Sequence, residues 1–190
     1  MVGRILDAAR DVLVEEGHER MSTNRIASRA GISPGSLYQY FPDKEAVLAA
    51  VVERYAVDLE SELTAVLTDR LDLPPADLVR AAYVGLLDVL ERHREYVRIV
   101  AQELPRSRSA GYVTPVERRV GDLVGTYLTV ARVGTPLPPA TSAWILVRMV
   151  EHLCVQYVLE RPGVDRPDLD REVLVDELVH LTNAHLAPRR

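Results

Sequence analysis

The stretch GISPGSLYQYFPDK, residues 31–44, holds two glycines, two prolines, two tyrosines, the one phenylalanine and the only lysine of the chain. That mixture leaves the backbone few options. Gly31 stops a helix predicted over 23–30, for which Ser22 is the N-cap. Ser33 followed by Pro34 repeats the start signal: a capping hydroxyl accepts from a free backbone amide, and proline's missing N–H costs nothing in a first turn. The short helix so opened carries residues 35–40, and Pro42 with Asp43 restarts the chain once more.

Helical periodicity continues on both sides, with no useful run of period-two alternation. Ile5, Leu6, Ala9, Val12 and Leu13 form one face of a first helix, ended by Gly17 where a left-handed residue is favoured. A long fourth helix keeps Leu48, Val51, Val52, Tyr55, Leu59 and Leu63 on one face and runs to about Arg70. After LDLPPAD the helices are longer. They are predicted over 76–93, 95–104 (stopped by Pro105), 115–133, 140–160 and 168–186, with PRSRSAGYV, GTPLPP and RPGVDRP as surface loops. The expected fold is all-α with about nine helices.

Composition narrows the functional classes. At 190 residues and 47% hydrophobic content the chain can bury a sizeable core. It has no apolar run long enough to span a membrane and no signal-peptide pattern, so an intracellular, cytoplasmic protein is expected. Cys154, the single cysteine, cannot form an internal disulfide. A net charge of -5 argues against coating nucleic acid with the whole surface. Between residues 20 and 44, however, Arg20, Arg25, Arg29 and Lys44 face only Asp43, which makes this stretch locally basic.

Two short helices joined by a glycine-containing turn, the second one capped, form the layout of a DNA-binding helix-turn-helix. Ile26, Ala27, Ala30, Ile32, Leu37 and Phe41 suit its interior, which leaves Gly35, Ser36, Tyr38, Gln39 and Tyr40 outward. Glycine lets a backbone approach closely, Ser and Gln reach base edges, and tyrosine hydroxyls donate to phosphate. Thr23 and Lys44 stand at helix starts, where phosphate is bound.

The segment ILDAARDVLVEEGHERMSTNRIASRAGISPGSLYQYFPDKEAVLAAVVE resembles the DNA-binding region of TetR-family transcriptional regulators. The resemblance implies a three-helix DNA-binding domain, residues 1–47, followed by a helical ligand-binding and dimerisation domain, residues 48–190. It also implies that Ser33, Gly35, Ser36 and Gln39 face bases, while Thr23, Arg25, Tyr38, Tyr40 and Lys44 hold phosphates. One departure from the family is the short N-terminus, where only Arg4 precedes the first helix, so an arm in the minor groove is not expected.

A single recognition helix reads few base pairs, and a homodimer on a palindromic operator would double the reading. Two C-terminal helices look equipped to form the interface. ATSAWILVRMVEHLCVQYVLE is apolar nearly all round except for the stripe Arg148, His152 and Gln156, and it supplies Val147 and Cys154; the last helix supplies Leu174, Leu178, Leu181 and His185. Internal packing of both helices is the competing reading. For a small-molecule effector, as the resemblance implies, Tyr83, Tyr127, Trp144, Arg148, Met149 and His152 are the candidates, with core packing the alternative for the aromatics and Met149; Arg148 and His152, one turn apart, suit an anionic ligand group or, as the favoured alternative, a solvated or salt-bridged stripe with Glu151.

His180 and His185 miss the spacing of a helical metal pair, Cys154 reads as a small buried hydrophobe, and no nucleophile elbow or phosphate-binding glycine loop is present. No cofactor, metal or catalytic residue is expected, and the chain does not read as an enzyme. The expected function is a ligand-responsive repressor released from DNA by a small molecule. The alternative is a helical small-molecule-binding or interaction protein without specific DNA binding, which the acidic total charge favours.

Overall fold

The computed structural model describes residues 1–69, 73, 75–103, 106–131 and 133–187. Their regular structure is helical: α1 (Val2–Glu16), α2 (Thr23–Ala30), α3 (Pro34–Tyr38), α4 (Lys44–Thr68), α5 (Pro75–Arg92), α6 (Arg94–Arg98) with a π-helical turn at Ile99–Glu103, α7 (Arg106–Val130), α8 (Pro139–Leu159) and α9 (Arg171–Leu186). Among the described residues the only β pairing is an isolated bridge between Pro162 and Arg166. The protein is all-α, as its periodicity predicts.

α1 buries Ile5, Leu6, Ala8, Ala9, Val12 and Leu13 and packs on α2 and α4. The helices of this region begin at the expected caps, and α3 ends at Tyr38, two residues before its expected end. Ser22 Oγ accepts from the Arg25 amide at 3.3 Å, Ser33 Oγ accepts from the Ser36 amide at 3.0 Å, and an Asp43 carboxylate oxygen accepts from the Ala46 amide at 2.7 Å. Gly31 ends α2 in the left-handed conformation, φ 63° and ψ 39°, which a residue with a Cβ adopts only under strain. Gly17 departs from expectation. Its φ of 79° is positive, but its ψ of 167° leads the chain straight away from α1 instead of wrapping it into a left-handed cap.

Leu37, fully buried, pins α3 to the core formed by Ile5, Leu13, Ile26, Ala27 and Val47. α4 runs on from this three-helix unit. The pair between Arg54 and Asp7, 3.1 Å, ties it to α1; further along, Glu62 pairs with His93 at 2.8 Å and with Arg92. Gly85 of α5 permits close helix contact, since a Cβ there would lie 2.9 Å from Cγ1 of Val66.

The second half differs from expectation in one long element. Residues 106–113, read as surface loop from their Ser, Gly and Arg content, belong to α7, and Pro115 lies inside that helix. An interior proline removes one helix hydrogen bond and costs about 3 kcal/mol. The extensive packing of α7 along α8, with further contact to α4, offsets this, and local composition does not record such packing. The helix expected over 95–104 is split into α6 and the π-helical turn. Leu104, Pro105 and Arg70, on which expected helix ends fell, lie outside the described residues.

If Leu37 anchors α3 as its burial implies, Leu37→Ala costs about 2–5 kcal/mol. Urea unfolding followed by far-UV circular dichroism measures this; a loss below about 1 kcal/mol would show that α3 is held by something else.

Candidate nucleic-acid interface and ligand cavity

The outer surface of α2 and α3 gathers most of the residues expected to meet DNA. Tyr38 and Tyr40 are half exposed, and Gly35 and Gln39 are exposed beside them. The Tyr38 hydroxyl lies 3.0 Å from Thr23 Oγ1, so the start of α2 and the end of α3 share one hydrogen bond and present two hydroxyls side by side. Ser36 Oγ lies 2.9 Å from Ser33 Oγ. Because Ser33 also caps α3, its oxygen is already engaged within the chain. Lys44 opens α4 directly after the Asp43 cap. Arg4 sits within α1.

The charge of this surface is lower than its own segment suggests. Arg25 forms an ion pair with Glu16, and Arg29 holds Glu15 through two hydrogen bonds of 2.9 and 2.5 Å. Beside Arg29 the Glu15 carboxyl is held below the ordinary carboxylate range. Both acids come from the end of α1, outside the basic stretch, and reach it through α1–α2 packing. Arg20 donates to the Glu16 carbonyl at 3.1 Å and has no carboxylate partner among the described residues. Lys44 likewise has none.

A second feature lies in the other half. α4, α5, α7, α8 and α9 enclose a cavity of about 940 Å³ lined mainly by Leu, Val and Tyr. Tyr83 and Tyr127 line it, as do Val116, Val120, Leu123 and Val124 of α7. The Tyr83 hydroxyl is hydrogen-bonded to Thr182, and burial pushes its pKa up to about 12. Of the other ligand candidates, Trp144 and Arg148 line a shallower depression of about 630 Å³ between α7 and α8. Met149 packs against the core, and His152 is exposed. Neither Met149 nor His152 lines the large cavity.

Sequence reading missed two acids on the cavity wall, Glu117 and Glu151. Glu117 is buried; its Oε2 lies 2.8 Å from an Arg148 nitrogen, at ion-pair distance but without hydrogen-bond alignment. Burial pushes both carboxyls above their ordinary range; for Glu151 the neighbouring Glu117 adds to the effect while His152 and Arg148 oppose it, and for Glu117 the nearby Arg148 opposes it. A signal was available. Glu117 stands at helical spacing with Val120, Val124 and Leu128, and Glu151 with Val147, Cys154 and Val158, so each is a carboxylate within an apolar stripe.

The expected dimer seam is largely internal. Cys154, Leu174 and Leu178 are buried within the single chain, where α8 and α9 pack on each other and on α5. Burial raises the Cys154 thiol pKa to about 12, as suits an inert thiol. Val147 lines the cavity and the depression. His185 is half-buried, and Leu181 alone of the six is exposed. The periodicity was right that these helices carry an apolar seam; the seam faces inward. The exposed apolar side chains of the pair are instead Trp144 and Leu153 on α8 and Val173 and Leu181 on α9.

Among the described residues no helix is long and apolar enough to cross a membrane, and no group of His, Cys, Asp and Glu could hold a metal ion.

Comparison with known proteins agrees with this architecture. Residues 5–51 match the family described as bacterial regulatory proteins, tetR family, and residues 74–186 match the tetracyclin repressor-like C-terminal domain. An HTH-type transcriptional regulator of Mycobacterium tuberculosis is 23% identical over 97% of this chain and 93% of its own. In three dimensions, a TetR-like regulator from Rhodococcus sp. RHA1 superposes with TM-score 0.69 at 24% identity, covering 98% of this chain and 96% of the other. A TetR-family regulator from Mesorhizobium loti gives TM-score 0.77 at 20% identity over 96% and 95%. The chain belongs to the TetR family of bacterial regulatory proteins: it is a helix-turn-helix, DNA-binding transcriptional regulator and not an enzyme.

Proposed function

We propose that the chain is a cytoplasmic, homodimeric repressor that binds a palindromic operator and is released by a small molecule taken into the 940 Å³ cavity. Residues 1–47 are the DNA-binding part and 48–190 the ligand-binding and dimerisation part. The observation that carries the DNA half of this reading is Gly35. It costs a helix stability relative to alanine, yet its φ is not positive, and a Cβ added there would meet nothing closer than Ser33 Oγ at 3.8 Å. No need within the chain explains it. Close approach of the α3 backbone to DNA bases does.

In this reading Gly35, Ser36 and Gln39 face base edges, with Ser33 holding the helix start beside them. Thr23, Tyr38, Tyr40 and Lys44 position the phosphates, and Arg25 joins them on exchanging Glu16 for a phosphate. Two recognition helices about 34 Å apart then meet successive major grooves on one side of the duplex. The dimer surface is the outer face of α8 and α9, supported by the exposure of Trp144, Leu153, Val173 and Leu181 together. α4 links the two halves: Leu63, Val66 and Leu67 stand on the cavity wall, and its first turn follows the recognition helix. A ligand releases DNA in so far as it binds the wrongly spaced form better than the DNA-competent one.

Gly35→Ala is expected to separate stability from function, raising folding stability by up to about 1 kcal/mol while weakening operator binding. Paired urea titrations and fluorescence anisotropy on an operator fragment from its own promoter decide this; unchanged DNA affinity would remove the assignment of Gly35 to the interface. On the same fragment, Lys44→Ala should weaken all sequences alike and lower the salt slope by about 1, whereas Gln39→Ala should change preference at particular base pairs. A changed sequence preference in the Lys44 variant would reverse that sorting. For the dimer, sedimentation equilibrium of Val173→Arg/Leu181→Arg should report monomer; an intact dimer would move the interface elsewhere.

A further inference from the structure

Building on the ligand-responsive reading above, we infer that the effector is a hydrophobic organic cation, seated in the large cavity with its positive centre against Glu117 and Glu151. Three observations on the cavity wall lead there. First, the wall is otherwise mainly apolar, so its size and lining suit aromatic or aliphatic bulk. Second, among the described residues, no arginine, lysine or histidine lines it, whereas two carboxylates do. Third, the compensation those carboxylates receive comes from outside the cavity wall. Glu117 is buried and lines both the cavity and the depression; its ion-pair partner Arg148, 2.8 Å away, lines the depression alone, and Glu117 Oε2 has no aligned hydrogen-bond donor. Glu151 has no ion-pair partner among the described residues; His152 and Arg148 favour its charged form from a distance, and neither lines the cavity.

A buried carboxylate is costly to ionise unless a positive charge neutralises it. An anionic ligand would place a third negative group beside two that burial and mutual repulsion already disfavour in the charged state. A neutral apolar ligand would remove water from them and return nothing. A cation lets both ionise and supplies the missing partner. Of the uncharged polar residues on the wall, Tyr83 and Thr182 are hydrogen-bonded to each other and so do not compete for a charged head.

The test uses a pair of probes of nearly equal shape and opposite charge, tetraphenylphosphonium and tetraphenylborate, with triphenylphosphine oxide as the neutral comparison. Binding to the full-length protein is measured by isothermal titration calorimetry, and release of an operator fragment by anisotropy. The phosphonium is expected to bind at least roughly tenfold tighter than the borate, and Glu151→Gln should erase most of that preference. Glu117→Gln provides the second variant, and circular dichroism confirms that both are folded. Equal or tighter binding of the borate, or a cation preference unchanged in both variants, overturns the assignment. If only the neutral probe binds and releases DNA, the ligand-responsive reading stands and the cation assignment falls. If no probe binds, the cation assignment falls, and whether DNA binding responds to any other compound decides the broader reading.

Discussion

One unbroken helix, α4, carries the constraint on which the remainder depends. Its 25 residues span about 37 Å at the usual rise, and it belongs to both halves of the molecule. Near its start, Val47, Leu48, Val51 and Val52 are buried beside α1 and the short helices; near its end, Leu63 and Val66 face the cavity. A helix is stiff along its axis, so displacement of one end is delivered to the other. At the far end Val66 packs closely against Gly85, where a Cβ would lie 2.9 Å from Val66 Cγ1. Ion pairs from Arg54, Glu60 and Glu62 hold the same helix to α1, α7 and the end of α5.

The surface proposed to face DNA is arranged by hydrogen bonds more than by charge. Ser33 and Thr23 each engage a neighbour, so α3 is held in place before any ligand is met. Meanwhile Glu15 and Glu16 cover Arg29 and Arg25. Phosphates approaching this surface compete with carboxylates already there, which tempers non-specific attraction in a protein whose net charge is -5. The cavity inverts this arrangement: there the acids are inside and the cation is at the rim.

Much of this was legible in the sequence where local chemistry decides structure. Ser22, Gly31, Ser33, Pro34 and Asp43 act through their immediate neighbours, and each stands where the capping rules place it. Residues 106–113 were not legible, because their composition suggests a loop while the segment is the first part of α7, a helix that packs along α8 as a whole. The same limit applies to the face that α9 turns outward. Leu174, Leu178 and Leu181 share a seam in the pattern, but only packing shows the first two buried and the third exposed.

The sequence by itself determined the helical fold, the turn–helix layout of residues 22–44 and the side chains available to meet DNA, because caps, turns and periodicity are properties of neighbours along the chain. Tertiary structure decided what those side chains face. It brought Glu15 and Glu16 onto the basic segment, gathered Glu117 and Glu151 at one cavity wall, and turned the α8–α9 seam inward. Each of these depends on helices distant in sequence meeting at a particular rotation, and a periodic pattern states which residues share a face without stating what that face will touch.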